Sequence, residues 1–145
     1  GTDIEKEILI KNLLIDVNRF FASEKFDARA TNARYAKHAS EIVTNTMKYI
    51  EKNLQNELTL DEISRNVYMS KFYLSRIFRE ETKTTIHQYI TKKRLIYSKS
   101  LIEKNIPIKE LYEQCGFKDQ SSFFRSFKAE FGITPKQYEK YLINI

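Results

Sequence analysis

Two short stretches of this sequence carry similar chemistry at similar spacing. Lys71, Phe72, Ser75, Arg76 and Arg79 follow Ser70; Gln120, Ser121, Ser122, Phe124, Arg125 and Lys128 follow Asp119. On a helix, arginine and short polar groups at i, i+1, i+4 and i+5 form a row that can follow base edges. Arginine can donate two bonds to guanine, and glutamine can pair with adenine in the major groove. The plainer reading is a solvated charged face whose arginines make surface ion pairs, with Phe72 and Phe124 in a core.

Other chemistry finds no constellation. Cys115 is the sole cysteine, which excludes an intrachain disulfide framework and a cysteine-based zinc site. It reads as a small buried hydrophobe. His38 and His87 are far apart in sequence with no third partner at ligand spacing, so no metal site is expected. Glycine occurs only at 1, 116 and 132, which leaves no phosphate-cradling loop. Glu80 and Glu81 point differently on a helix, and no nucleophile pairs with a histidine. The sequence is expected to be no enzyme and to need no cofactor.

The elements that must position the two rows come from an internal repeat. Ile63, Val67 and Met69 recur 48 residues later as Leu111, Cys115 and Phe117. After the turn the offset is 49, pairing Leu74 with Phe123, Arg76 with Arg125 and Phe78 with Phe127. Each copy reads as helix, short turn, helix. Thr59 with Glu62, Thr85 with Gln88 and Thr134 with Gln137 have capping-box spacing. Ser70 and Asp119 suit the N-caps of the second helices, and Gly116 suits a sharp turn or a close approach. A helix from about Thr85 to Glu103 joins the copies, with Ile86, Tyr89, Ile90, Ile96, Tyr97 and Leu101 as its apolar face. About 20 helical residues span roughly 30 Å, close to the roughly 34 Å between successive major-groove faces on one side of a duplex.

Ahead of the repeat, residues 4–22 read as one helix. Ile10, Leu13, Val17 and Phe20 form a seam that Ile8, Leu9, Leu14, Ile15 and Phe21 widen. Such a helix must pack on something. Residues 23–40 read as a polar linker with at most a helical turn. Gly1 in place of an initiator Met suggests an excised piece, whose missing portion would hold any effector site.

The 145 residues allow one domain plus an appended element. Only 3 glycines and 2 prolines, against roughly 17 at average usage, argue against a turn-rich β fold. Lysine and arginine number 25 against 19 acidic residues, for a net charge of +6. Residues 41–145 hold 18 basic and 13 acidic side chains, so most of the excess lies in the repeat. No stretch approaches a membrane span, and a reducing cytoplasmic setting is expected.

Residues 46–142 resemble the AraC/XylS family of bacterial transcription regulators. The resemblance rests on Leu58-Thr59-Leu60-Asp61-Glu62-Ile63, Met69 through Phe78 and Arg94-Leu95, and on Gly116 through Phe123, Phe127-Lys128 and Phe131-Gly132-Ile133-Thr134-Pro135. It implies an all-α fold in which two helix-turn-helix subdomains are joined by a long linker helix, here preceded by an apolar N-terminal helix. It also implies sequence-specific binding of double-stranded DNA, activation at promoters with possible contact to RNA polymerase, and homodimerisation through residues 4–22. By position, Lys71, Phe72, Ser75 and Arg76 would read one groove segment, and Gln120, Ser121, Ser122 and Arg125 the next. The expected domains are 1–40, the end of a sensory or dimerisation domain, and 41–145, the DNA-binding domain. Ser64 and Tyr112 stand where the family often has alanine, and Lys83 where it often has glycine. The rival reading is a helical protein-interaction module; RNA binding is disfavoured by the lack of an aromatic-rich strand platform.

Overall fold

The computed structural model describes residues 2–22 and 28–145. Among them it contains α1 (Asp3–Ala22), α2 (Ala28–Lys52), α3 (Leu60–Asn66), α4 (Lys71–Thr82), α5 (Ile86–Glu103), α6 (Ile108–Gln114), α7 (Gln120–Phe131) and α8 (Pro135–Ile143), and no strand. The chain divides into two units, Gly1–His38 and Ala39–Ile145.

In the first unit, α1 covers the stretch expected as one helix. It opens on a reciprocal cap that the sequence reading overlooked. The Glu5 amide donates to Thr2 Oγ1 at 3.3 Å, and the Thr2 amide donates to the Glu5 carboxylate at 3.1 Å. The seam residues Ile10, Leu13 and Val17 are exposed, as are Ile8, Leu9, Leu14 and Ile15. The side chains of Phe20 and Phe21 lie outside the described residues. The expected linker is corrected in part. Residues 28–40 belong to α2, which is 25 residues long. Alanine, arginine and lysine are strong helix formers and no glycine or proline interrupts them, so weak apolar periodicity does not prevent a helix there. Residues 23–27 lie outside the described residues.

The second unit has two cores. Ile42, Val43 and Ile50 of α2, Ile63 of α3, and Leu74, Ile77 and Phe78 of α4 form the first, closed by Ile86 and Ile90 of α5. Leu95, Leu101 and Ile102 of α5 form the second with Leu111, Cys115, Phe123 and Phe127. The repeat pairs Ile63 with Leu111, Leu74 with Phe123 and Phe78 with Phe127 are all completely buried. Helix α5 therefore belongs to both lobes. Its apolar face departs from the expected one in its second half: Leu95 and Ile102 are buried and Ile96 is 47% exposed. The buried hydroxyls of Thr46 and Ser98 donate to the carbonyls of Ile42 and Leu95, at 2.8 and 2.6 Å, so neither leaves an unpaired polar group in a core.

Most caps follow the sequence. Thr85–Gln88 and Thr134–Gln137 form complete capping boxes. At Thr59 only half forms: the hydroxyl accepts from the Glu62 amide at 3.2 Å, and the Glu62 carboxylate does not return the bond. Ser64 is buried and donates to the Asp61 carbonyl at 3.0 Å, so a hydroxyl replaces alanine without an unsatisfied group. Tyr112 is half-buried against the second core.

Helices α4 and α7 both end on a left-handed residue, Lys83 at φ 62° and Gly132 at φ 76°. That conformation costs a residue with a Cβ roughly 1–2 kcal/mol. Lys83→Gly is therefore expected to stabilise the protein by about 1 kcal/mol. The gain would appear as a raised urea midpoint at unchanged slope, and an unchanged midpoint would show that the cap carries no strain.

Candidate nucleic-acid interface

The first face is built on α4. Ser70 caps it, its hydroxyl accepting from the Tyr73 amide at 3.2 Å. Burial of Leu74, Ile77 and Phe78 turns one side of the helix inward, which leaves Lys71, Phe72, Ser75, Arg76 and Arg79 exposed on the other. Phe72 is 87% exposed, an aromatic ring held in water and no part of a core. The Arg76 guanidinium lies 5.5 Å from the centre of the Tyr73 ring, which steadies it without removing it from the surface. Lys71 Nζ meets Asp61 Oδ1 at 2.9 Å, and this hydrogen bond holds the Asp61 carboxyl below the usual carboxylate range. Lys71 thus bridges α4 to α3 rather than standing free.

The second face is built on α7. Phe123 and Phe127 point inward, while Gln120, Ser121, Arg125 and Lys128 are exposed. Phe124 is half-buried, 5.7 Å from Phe123 between ring centres, so it serves the core rather than the exposed face. Asp119 is the N-cap. Its carboxylate accepts from the Ser122 amide at 2.7 Å and from the Ser122 hydroxyl at 2.9 Å. Those bonds, helped by the nearby Arg125 charge, hold the Asp119 carboxyl below its ordinary value. Ser122 already spends its hydroxyl proton on the cap, and toward a ligand it can act only as an acceptor.

Two residues outside the expected set join the lobes. Arg94 Nε donates to the Leu54 carbonyl at 2.9 Å, and Nη2 donates to the Asn56 carbonyl at 2.8 Å. Gly116, at φ 91°, sits against the same place: a Cβ there would collide with the Leu54 carbonyl oxygen and come within 2.7 Å of Arg94 Nε. Periodicity could not have revealed this joint, because its partners lie about 40 and 60 positions apart in sequence. Beside it, an open cleft of about 970 Å³ is lined by His87, Arg94, Asp119, Ser122 and Arg125, among others.

Burial pushes the Cys115 thiol up to about 12, which keeps it protonated and a poor nucleophile near neutral pH. Among the described residues no three His, Cys, Asp or Glu side chains could hold a metal ion together, and no helix is long and apolar enough to cross a membrane.

A family model described as a helix-turn-helix domain matches residues 63–141. The multiple antibiotic resistance protein MarA of Escherichia coli K12 is 34% identical over 97 residues, which cover 66% of this chain and 76% of MarA. The chain belongs to the AraC/XylS family. A longer relative, the uncharacterized HTH-type transcriptional regulator YtdP of Bacillus subtilis strain 168, is 34% identical over 137 residues, 94% of this chain. The matched region spans 17% of YtdP, so this chain corresponds to a small part of that protein. Among solved structures, the DNA-binding domain of AdpA, a global transcriptional factor crystallised with a target DNA, matches with a TM-score of 0.65 at 20% identity. The match covers 68% of this chain and 90% of that one, and at this identity it is a likeness of fold.

The Asp119 cap of this AraC/XylS domain has a pH signature. Its folded pKa is lowered, so its contribution to stability is present above the unfolded value and is lost as pH falls through the folded one. Asp119→Asn keeps a good N-cap and removes the titration. Between about pH 4 and pH 2, the wild type is expected to lose urea midpoint faster than the variant. Parallel midpoints across that range would show that the cap is not ionised in the folded state.

Proposed function

We propose that this chain is the DNA-binding portion of a sequence-specific transcription regulator, an activator, that reads two adjacent major-groove segments of a duplex. The observation that supports this most directly is the matched exposure of Arg76 and Arg125. They occupy equivalent positions of the two repeats, each on the outer side of a helix whose inner side is anchored in a core. Membership of the AraC/XylS family supports it too, as does a shared fold with a domain crystallised on its target.

In this reading Phe72, Ser75 and Arg76 face one segment, and Gln120, Ser121 and Arg125 face the next. Ser122 contributes an acceptor, while Lys71, Arg79 and Lys128 approach phosphates, with Lys71 exchanging Asp61 for the backbone. Phosphate contacts set register, and base contacts choose sequence. Helix α1 pairs with its copy in a second chain to form a homodimer, which would cover its exposed apolar residues. The regulator acts in the cytoplasm, touches RNA polymerase when bound near a promoter, and has no catalytic role.

Duplexes selected from a random pool by the full chain test the central claim. Arg76→Ala and Arg125→Ala are each expected to cost roughly 1–3 kcal/mol on the selected duplex and to relax preference at one base pair, while Lys128→Ala weakens all duplexes alike. Equal losses on selected and random duplexes for both arginine variants would overturn base reading. Binding without steep salt dependence would favour a protein-interaction module.

The dimer is tested by sedimentation equilibrium. The wild type should associate at micromolar concentration, and Leu13→Asp should remain monomeric. A wild type that stays monomeric at high concentration would sink the pairing.

A further inference from the structure

The two faces lie on separate lobes with separate cores, so the angle and distance between them depend on what joins the lobes. Helix α5 is one connection. The second is a contact, and it is made by residues outside the reading faces.

Arg94 stands near the middle of α5, half-buried, and its fork grips two backbone carbonyls of the segment between α2 and α3, Leu54 at 2.9 Å and Asn56 at 2.8 Å. Charge-assisted bonds of this kind are short and directional. Against the same carbonyl and the same guanidinium sits Gly116, in the turn that precedes α7. The repeat supplies an internal control. Tyr68 is the equivalent of Gly116 in the first lobe and shares its left-handed backbone, at φ 57°, yet carries a large side chain that is 90% exposed. The turn itself therefore tolerates a side chain. Position 116 excludes one because first-lobe backbone and Arg94 press against it. Around this joint, Gln55 donates to the Tyr97 hydroxyl at 2.8 Å, and Lys118 lies 4.0 Å from Glu57. The latter is an exposed pair of the kind that contributes little alone.

We infer that Arg94 and Gly116 are positioning residues that lock the two lobes in one register and thereby set the base-pair spacing at which both half-sites are accepted. The inference rests on the DNA reading proposed above. B-form DNA turns once in roughly 10–10.5 base pairs. One inserted pair therefore rotates the far half-site by roughly 35° and moves it by about 3.4 Å. A locked pair of lobes must then strain the duplex or give up half its contacts, whereas a hinged pair can follow.

The test uses the full chain and a duplex that the wild type selects from a random pool, together with versions carrying one pair inserted or deleted between the half-sites. The wild type should lose roughly tenfold in affinity for each shift, a loss of the size that duplex deformation commonly produces. Arg94→Met should cut that discrimination at least threefold while circular dichroism shows the helices retained. Arg94→Lys, which keeps the charge and loses the planar fork, should fall between. Gly116→Ala should act in the same direction, and the two Arg94 variants carry the test if it does not fold. Spacing preference unchanged in both Arg94 variants would overturn the joint. So would an equal loss on every spacing, which marks a merely structural role, or a wild type indifferent to spacing; in all three cases DNA reading would still stand. A wild type that selects no duplex would overturn the DNA reading and the joint with it.

Discussion

Helix α5 has to bury two different faces along its eighteen residues, and the rest of the second unit follows from that constraint. Ile86 and Ile90 complete a core begun by α2, α3 and α4, while Leu95, Leu101 and Ile102 begin another that α6 and α7 finish. A helix with one continuous apolar stripe would gather every neighbour on one side. Here the stripe shifts near Arg94, where a charged side chain interrupts it and reaches the carbonyls of Leu54 and Asn56. Each lobe gains its own hydrophobic centre, and the polar interruption becomes the place where the lobes touch. Burial pulls the Arg94 pKa below its ordinary value, but an arginine starts so high that the charge persists and the grip on both carbonyls with it.

The two repeats are alike where packing demands it and unlike where their surroundings differ. Ile63 and Leu111, Leu74 and Phe123, and Phe78 and Phe127 all remain buried, and Leu74 to Phe123 exchanges aliphatic for aromatic volume. The aromatic lobe gains edge-to-face contacts, Phe127 lying 4.7 Å from Phe131 and 5.8 Å from Phe123 between ring centres. Tyr89 and Tyr138 repeat one contact at an offset of 49, donating to Glu51 and Glu103 at 3.0 and 2.9 Å. In the left-handed turns the copies diverge. Tyr68 faces solvent and Gly116 faces the other lobe; Lys83 and Gly132 differ although nothing stands within 4 Å of a Cβ at 132. Contact explains the first pair. At 132 the positive φ alone favours glycine.

A net charge of +6 describes the chain poorly until its ion pairs are placed. Lys71 is bound to Asp61 and Lys93 to Glu51, while Lys92 and Lys118 approach Glu130 and Glu57. Arg76, Arg79, Arg125 and Lys128 take part in no ion pair among the described residues and are exposed. Four of the cations left for an anionic partner thus lie on α4 and α7, while others such as Lys48, Lys109 and Lys136 are exposed elsewhere. Asp119 tempers the positive charge at the tip of α7, where a carboxylate caps the helix close to Arg125.

Much of this was legible in the linear order of residues, because helices, caps and inward faces depend on neighbours three and four positions away. The repeat offset, the capping boxes at Thr85 and Thr134, and the burial of Leu111, Cys115, Phe123 and Phe127 could all be read that way. Local rules also erred locally: Glu62 leaves its capping box half made, Leu95 rather than Ile96 turns inward, and residues 28–40 are helical despite a weak apolar pattern. Which arginine faces water and which grips another segment was beyond such rules, since Arg76 and Arg94 are chemically the same residue on the same kind of helix. Folding alone decided between them, by bringing Leu54, Asn56 and Gly116 to one of them from distant parts of the chain, and no pattern of spacing records an approach across that separation.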